Sequence, residues 1–344
     1  MIPAEQNNSK RSEFRIWLAR TFGRSDVRNR VTVKGVVITF ILTIVYFAWA
    51  AGASISSIIL YFLLRPTLGL VPATKVVNAI VESFFIYQVW MFQHYCKSNT
   101  ILYGDRIPYR ESAFVIGNHQ WLVDFGIIFC VGVRKGMAGA TKFFAKKSVL
   151  YIPFIGLGVW IHGGVFLNRN WDRDKDSIRK CFSRQRQLKG KVPLWVVTWP
   201  ESTRLCPEKI ELSHKFAEEN GLPKWNNVLI PRTKGFIAQV KGLREIVPYL
   251  YDFTVGYGGP KHEPPTPLDM GLGGYGNSIH IHCRRYLMSD LPESDEELKK
   301  WLFDRWQEKE DLLTYFKKHD KFPEEPLNDP FRIIPIWKSV PKDD

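Results

Sequence analysis

His119 and Asp124 stand five residues apart in the stretch Val115-Ile116-Gly117-Asn118-His119-Gln120-Trp121-Leu122-Val123-Asp124-Phe125. An imidazole held at one ring nitrogen by a carboxylate keeps its other nitrogen free as a base near neutral pH. Such a pair can take the proton from a hydroxyl that then attacks an electrophilic carbon. The elements needed to position the pair are visible in the same stretch. The apolar run Ala113 to Ile116 predicts a short buried strand, and the residues after Trp121 predict a helix. His119 then falls on a strand-to-helix connection and Asp124 in the first turn of the helix. Taken alone, the two residues also fit a loop histidine and a helix-start aspartate that favours the macrodipole.

With 344 residues the chain can bury a sizeable core. Its 48 Lys and Arg against 34 Asp and Glu leave a formal charge of +14, which suits anionic partners: nucleic acid, an anionic membrane surface or phosphorylated small molecules. No nucleic-acid motif accompanies the charge, so nucleic acid is set aside. The 12 Trp, 13 Tyr and 23 Phe fit a membrane interface and an aromatic core equally. Cys96, Cys130, Cys181, Cys206 and Cys283 are dispersed without a C-x-x-C pair, as thiols in a reducing compartment are. No zinc spacing appears; His280 and His282 alternate on an expected strand and read as a polar strand face.

Residues 1–34 form a basic head, and from Gly35 to Leu64 no charged residue occurs. A bilayer core needs roughly 20 apolar residues, so this segment predicts an uncleaved anchor ended by Arg65-Pro66, with its cationic head in the cytoplasm. Residues 76–96 are a second, more polar apolar stretch, read as a second span or re-entrant helix that completes an anchor over 35–97. The chain would then emerge on the cytoplasmic side. Residues 98–290 alternate β-rich runs (near 113–117, 137–141, 164–168, 193–199, 227–231, 247–256 and 278–284) with helical patterns. That predicts an α/β domain around a mixed, largely parallel sheet flanked by helices. Residues 256–276 read as a long loop. Over 291–344 a capping box, Ser294 to Glu297, opens a helix running to about Phe316, followed by a tail.

Loops at the carboxyl ends of strands in such a sheet converge on one crevice. Three further stretches end expected strands in polar residues: Gly163 to Arg169, Trp199 to Arg204, and Ile230 to Phe236. Arg169, Arg204 and Lys234 can gather there as a phosphate site. The ordered set resembles the glycerolipid acyltransferases, which include the 1-acylglycerol-3-phosphate and lysophospholipid acyltransferases. Asn118, His119 and Asp124 match the family's N-H-x-x-x-x-D block; Gly163, Phe166 and Arg169 match G-x-x-F-x-x-R; Pro200, Glu201, Thr203 and Arg204 match P-E-G-T-R. Leu229 to Phe236 and Tyr251 to Val255 are similar to the eukaryotic branch. The likeness covers roughly residues 65–260.

The resemblance implies transfer of an acyl chain from acyl coenzyme A, a co-substrate rather than a cofactor, to the free hydroxyl of a lysophospholipid, lysophosphatidic acid first. His119 would be the base and Asp124 its orienter. Asn118, Arg169, Glu201, Thr203, Arg204 and Lys234 would hold substrate. No metal is implied. Backbone N–H groups after His119 would serve the oxyanion. Arg134, Lys135, Lys142, Lys146 and Lys147 would face anionic lipid or coenzyme phosphates, or simply water. Ser202 replaces the family glycine, at a place where glycine suits a positive φ; its hydroxyl could cap the next helix. The endoplasmic reticulum is the implied membrane, with the mitochondrial outer membrane and lipid droplet as alternatives. Rival readings are another acceptor (lysophosphatidylinositol or lysocardiolipin), a covalent route through Cys130, and a non-catalytic phospholipid-binding protein.

Overall fold

In the computed structural model, which describes residues 33–121, 123–152, 155–167, 171–265 and 277–329, the charge-free stretch is one continuous helix, α1 (Val33–Leu68). It runs through Pro66, where the sequence reading ended it, and Gly69 at φ +90° makes the turn into α2 (Leu70–Trp90). Both helices are long and apolar enough to cross a membrane. Their surroundings differ. α1 leaves Phe40, Ile44 and Phe47 exposed, whereas one face of α2 is part of the globular core. Phe85 stacks on Phe129 at 3.4 Å, and Lys142 Nζ donates to Asn78 Oδ1 at 3.0 Å. At Gly139 a Cβ would meet the Asn78 carbonyl at 2.2 Å, so only glycine admits this approach of α2.

Among the described residues seven strands form one sheet: β1 (Thr100–Gly104), β2 (Ala113–Gly117), β3 (Thr141–Lys146), β4 (Val165–Leu167), β5 (Trp195–Thr198), β6 (Tyr249–Tyr257) and β7 (Ile279–Leu287). Their order is β1-β7-β6-β2-β5-β3-β4. All neighbours are parallel except β6 and β7, so the sheet is mixed and largely parallel. Between and after the strands lie α3 (Asp124–Arg134), α4 (Ile155–Ile161), α5 (Trp171–Leu188), α6 (Pro207–Glu219), α7 (Thr233–Leu243) and α8 (Asp295–His319).

Period-two alternation splits the core. Val115, Val197, Tyr251, Phe253 and Val255 face α2 and α3, while Phe114, Ile116, Val196 and Leu250 face α5, α7 and α8. The expected capping box opens α8: Ser294 Oγ accepts from Glu297 N at 3.3 Å and donates to Glu297 Oε2 at 2.6 Å.

Two strand expectations are corrected, and one strand was missed. Residues 227–231 form no strand, because Glu310 of α8 accepts from the N–H groups of Asn226 (3.0 Å) and Asn227 (2.8 Å). The run near 137–141 begins as a single helical turn, Ala138–Ala140, and the strand starts at Thr141. β1 was not expected. Its ladder partner β7 lies far along the chain, and its five residues carry no clear alternation. His280 and His282 are buried rather than a polar face. His280 bonds the Tyr103 hydroxyl (2.8 Å) and Ser278 Oγ (2.7 Å), and burial holds its pKa down at about 4. His282 lies 3.1 Å from Glu324.

Candidate active site

The turn between β2 and α3 is built around the Asp124 carboxylate. Oδ2 accepts from the backbone N–H groups of Gln120 (2.7 Å) and Trp121 (2.9 Å) and from His119 Nδ1 (2.7 Å). Oδ1 accepts from the hydroxyl of Tyr257, the last residue of β6. Because an ionised carboxylate only accepts, His119 carries its proton on Nδ1, and Nε2 is left with a lone pair. His119 Nε2 makes no hydrogen bond among the described residues, and the side chain keeps 13% of its surface exposed. Trp199 (5.1 Å between ring centres) and Phe125 (6.2 Å) wall the imidazole. The arrangement is an imidazole with a fixed tautomer and an unengaged ring nitrogen at the end of the central strand.

Of the backbone amides at the helix start after His119, those of Gln120 and Trp121 are given to Asp124 and so are not offered to an oxyanion. Asn118 is likewise turned inward. Its amide donates to the Val255 carbonyl (3.1 Å) and accepts from the Val255 N–H (2.8 Å), with 1% of the residue exposed. It clamps the turn to β6 and has little left to offer a substrate.

The loop after β5 closes against this turn through Leu205 N–H to the His119 carbonyl (2.8 Å). In it Ser202 has φ +58°, so the family glycine is replaced where positive φ is in fact required. A serine there carries a strain of about 1–2 kcal/mol. Its hydroxyl caps nothing: Cys206 is the N-cap of α6, and Ser202 Oγ points 3.4 Å from the Pro200 carbonyl. Arg204 is exposed, its guanidinium 4.8 Å above the Trp121 ring. Thr203 is half-buried beside it. Arg232 N–H donates to the Pro200 carbonyl (2.8 Å), which sets the start of α7, with exposed Lys234, next to the same loop. Arg169 lies outside the described residues. Of the other expected basic contacts, Arg134 is buried and donates to Thr100 O (2.8 Å), Lys135 pairs with Asp329 (2.8 Å), and Lys142 is buried on α2. Those three hold the fold instead of facing phosphates. Lys147 is exposed; the Lys146 side chain lies outside the description.

Comparison with known proteins decides the family. The Acyltransferase family matches residues 100–251, and the Acyltransferase C-terminus family matches residues 272–337. The 1-acyl-sn-glycerol-3-phosphate acyltransferase 3 of Arabidopsis thaliana is 30% identical over 269 residues, covering 75% of this chain and 70% of that one. The chain belongs to the 1-acyl-sn-glycerol-3-phosphate acyltransferase family, and it is an acyltransferase. The human 1-acyl-sn-glycerol-3-phosphate acyltransferase delta is 33% identical over 223 residues, covering 65% of this acyltransferase and 58% of that protein. The fold matches the crystal structure of the Thermotoga maritima 1-acyl-sn-glycerophosphate acyltransferase with TM-score 0.51 and 19% identity, over 83% of this chain and 97% of that one.

Glu201 of the acyltransferase was expected at the acceptor and instead lies under the loop, 3% exposed. Burial pushes its pKa well above the usual carboxylate range, and Asp124 adds to the rise. The His119 backbone, Lys309 and Trp306 pull the other way, yet neither carboxyl oxygen has a well-formed hydrogen bond. An acid whose folded pKa is raised binds its proton more tightly in the native state, so stability falls as pH rises above roughly 4.3 toward the folded value. Glu201→Gln removes that dependence. In detergent its unfolding midpoint is expected to exceed wild type by about 3 °C at pH 8 and to converge with it near pH 5. Equal midpoints at pH 8 would show a compensated, ionised carboxylate.

Sequence reasoning missed Tyr257, although alternation along β6 puts it on the face of Tyr251, Phe253 and Val255, at the strand's carboxyl end. It also missed Lys309, a lysine on the apolar stripe Leu298, Leu302, Trp306, Leu313 and Phe316 of α8. The covalent rival fails on geometry: Cys130 is 1% exposed within α3, and burial pushes its thiol up to about 11.

Proposed function

We propose that this acyltransferase moves a fatty acyl chain from a coenzyme A thioester to the free hydroxyl of a lysophospholipid, with lysophosphatidic acid as acceptor and phosphatidic acid as product. The observation that carries the reading is the His119–Asp124 pair, bonded at 2.7 Å with Nε2 unengaged. Nε2 takes the hydroxyl proton as the oxygen attacks the thioester carbon. The C–O bond forms, the C–S bond breaks, and the imidazolium returns its proton to the departing thiolate. Asp124 stays ionised and stabilises the imidazolium. No cofactor enters the reaction as written.

Arg204, exposed on the loop after β5, and Lys234, exposed in the first turn of α7, suit the acceptor phosphate, and Thr203 lies between them and the base in sequence. The relatives named 1-acyl-sn-glycerol-3-phosphate acyltransferases support this acceptor. The apolar surface of α1 supports attachment to a membrane, which we assign to the endoplasmic reticulum with the globular part on the cytosolic side. A lipid-binding scaffold would have no use for a base held in one tautomer.

The deciding assay offers labelled oleoyl coenzyme A and a panel of lysophosphatidic acid, lysophosphatidylinositol and lysocardiolipin to the full-length protein in detergent. His119→Ala serves as the blank. Transfer above the blank to lysophosphatidic acid is the expected result. Transfer to another acceptor alone would reassign the substrate, and no transfer by folded protein would sink the enzymatic mechanism.

A further inference from the structure

We propose that Tyr257 is a positioning residue for the acyl transfer, acting through Asp124. The inference rests on the reaction assigned above to His119 and Asp124. Tyr257 ends β6, is 1% exposed, and directs its phenol to Asp124 Oδ1. It stands on the same strand face as Val255, whose backbone holds Asn118 on both sides and accepts from Gln120 Nε2 at 2.9 Å. One strand end therefore grips the catalytic turn at two levels. Val255 fixes the side-chain amides of the residues on either side of His119, Asn118 and Gln120, and Tyr257 fixes the carboxylate.

The geometry explains why the second grip matters. All three contacts from the turn itself converge on Oδ2. They fix one oxygen but leave the carboxylate plane free to swing about it. The phenol on Oδ1 removes that freedom, and it satisfies an oxygen that would otherwise be buried and unbonded. The Tyr257 backbone is itself held in the sheet opposite Ile279, so the phenol projects from a rigid element. Tyr257 meets the pair at Asp124. Its effect on chemistry passes through the orientation of Asp124, and hence of the Nδ1–H bond that aims Nε2.

The test measures kcat and KM for Tyr257→Phe in full-length detergent-solubilised protein, with the acceptor found above. The expected result is a fall in kcat of roughly 10- to 100-fold, the equivalent of one hydrogen bond to a charged group. KM for both substrates stays within about two-fold, because no substrate contact is lost. In the Asp124→Ala background the same substitution is expected to cost less than about two-fold, since the group it positions is gone. An unchanged kcat overturns the proposal. So does an equal loss in both backgrounds, which is the signature of general loosening. If Tyr257→Phe does not fold, Tyr257→His, which keeps an N–H donor, is compared with Tyr257→Leu, and equal kcat values overturn it. Wild-type protein inactive on every acceptor would remove the underlying reaction, an outcome distinct from any difference between variants.

Discussion

Asp124→Asn is expected to lower kcat by about 10³- to 10⁴-fold while leaving KM for both substrates near wild type. The hydrogen-bond inventory dictates this size. An asparagine can keep the turn only by placing its carbonyl at the Oδ2 position, where three donors converge, and its amide toward the Tyr257 hydroxyl, which can turn to accept. The shape then survives and the charge does not. In the proposed mechanism Nε2 takes the acceptor's proton, and the imidazolium then faces a neutral amide rather than a carboxylate. His119→Ala removes the proposed base itself and is expected to lower transfer to the level of the reaction without protein. Single-turnover acyl transfer with each variant, beside a thermal midpoint, is the check. A loss carried by KM alone would assign the pair to binding rather than chemistry.

How much of this was legible in the sequence depends on the range of the interaction. The strand at 113–117 and the histidine and aspartate beyond it are local signals, and they sit where the pattern put them. The mixed parallel sheet followed from alternation of short apolar runs with helical ones. Failures came where a distant side chain captured the backbone. Val228 and Leu229 look like a strand and are buried like one, but the Glu310 carboxylate takes the preceding N–H groups and no ladder forms. Asn118 looked like a substrate ligand because motifs record identity and not direction; its partner, Val255, is 137 residues away. Ser202 went the other way. The reason proposed for a glycine at that position, a positive φ, is present in the fold even though the glycine is not.

Lys309→Met is expected to be the most damaging substitution outside the turn. Lys309 is fully buried on α8, bonded to Phe253 O at 2.6 Å and Thr254 Oγ1 at 3.3 Å, and ion-paired with Asp252. Methionine fills the volume and leaves a carboxylate alone in the core, a loss of about 3–5 kcal/mol. For a chain of this size that corresponds to a fall in midpoint of roughly 4–7 °C. The pH dependence identifies the cause. Burial already raises the Asp252 pKa, and Lys309 opposes the rise. Without the ammonium the folded value climbs further, so the native state holds a proton that the unfolded chain releases above about pH 3.9. Stability of the variant therefore falls as pH rises, and its deficit is larger at pH 8 than at pH 5. Adding Asp252→Leu removes the stranded charge and is expected to recover most of the loss. Midpoints of the wild type and the two variants at both pH values test this; a Lys309→Met deficit independent of pH would place the damage in packing. Activity should follow stability here, because Phe253 and Thr254 lead directly into Val255 and Tyr257. The C-terminal helix thus reaches the base through the same strand that holds the turn.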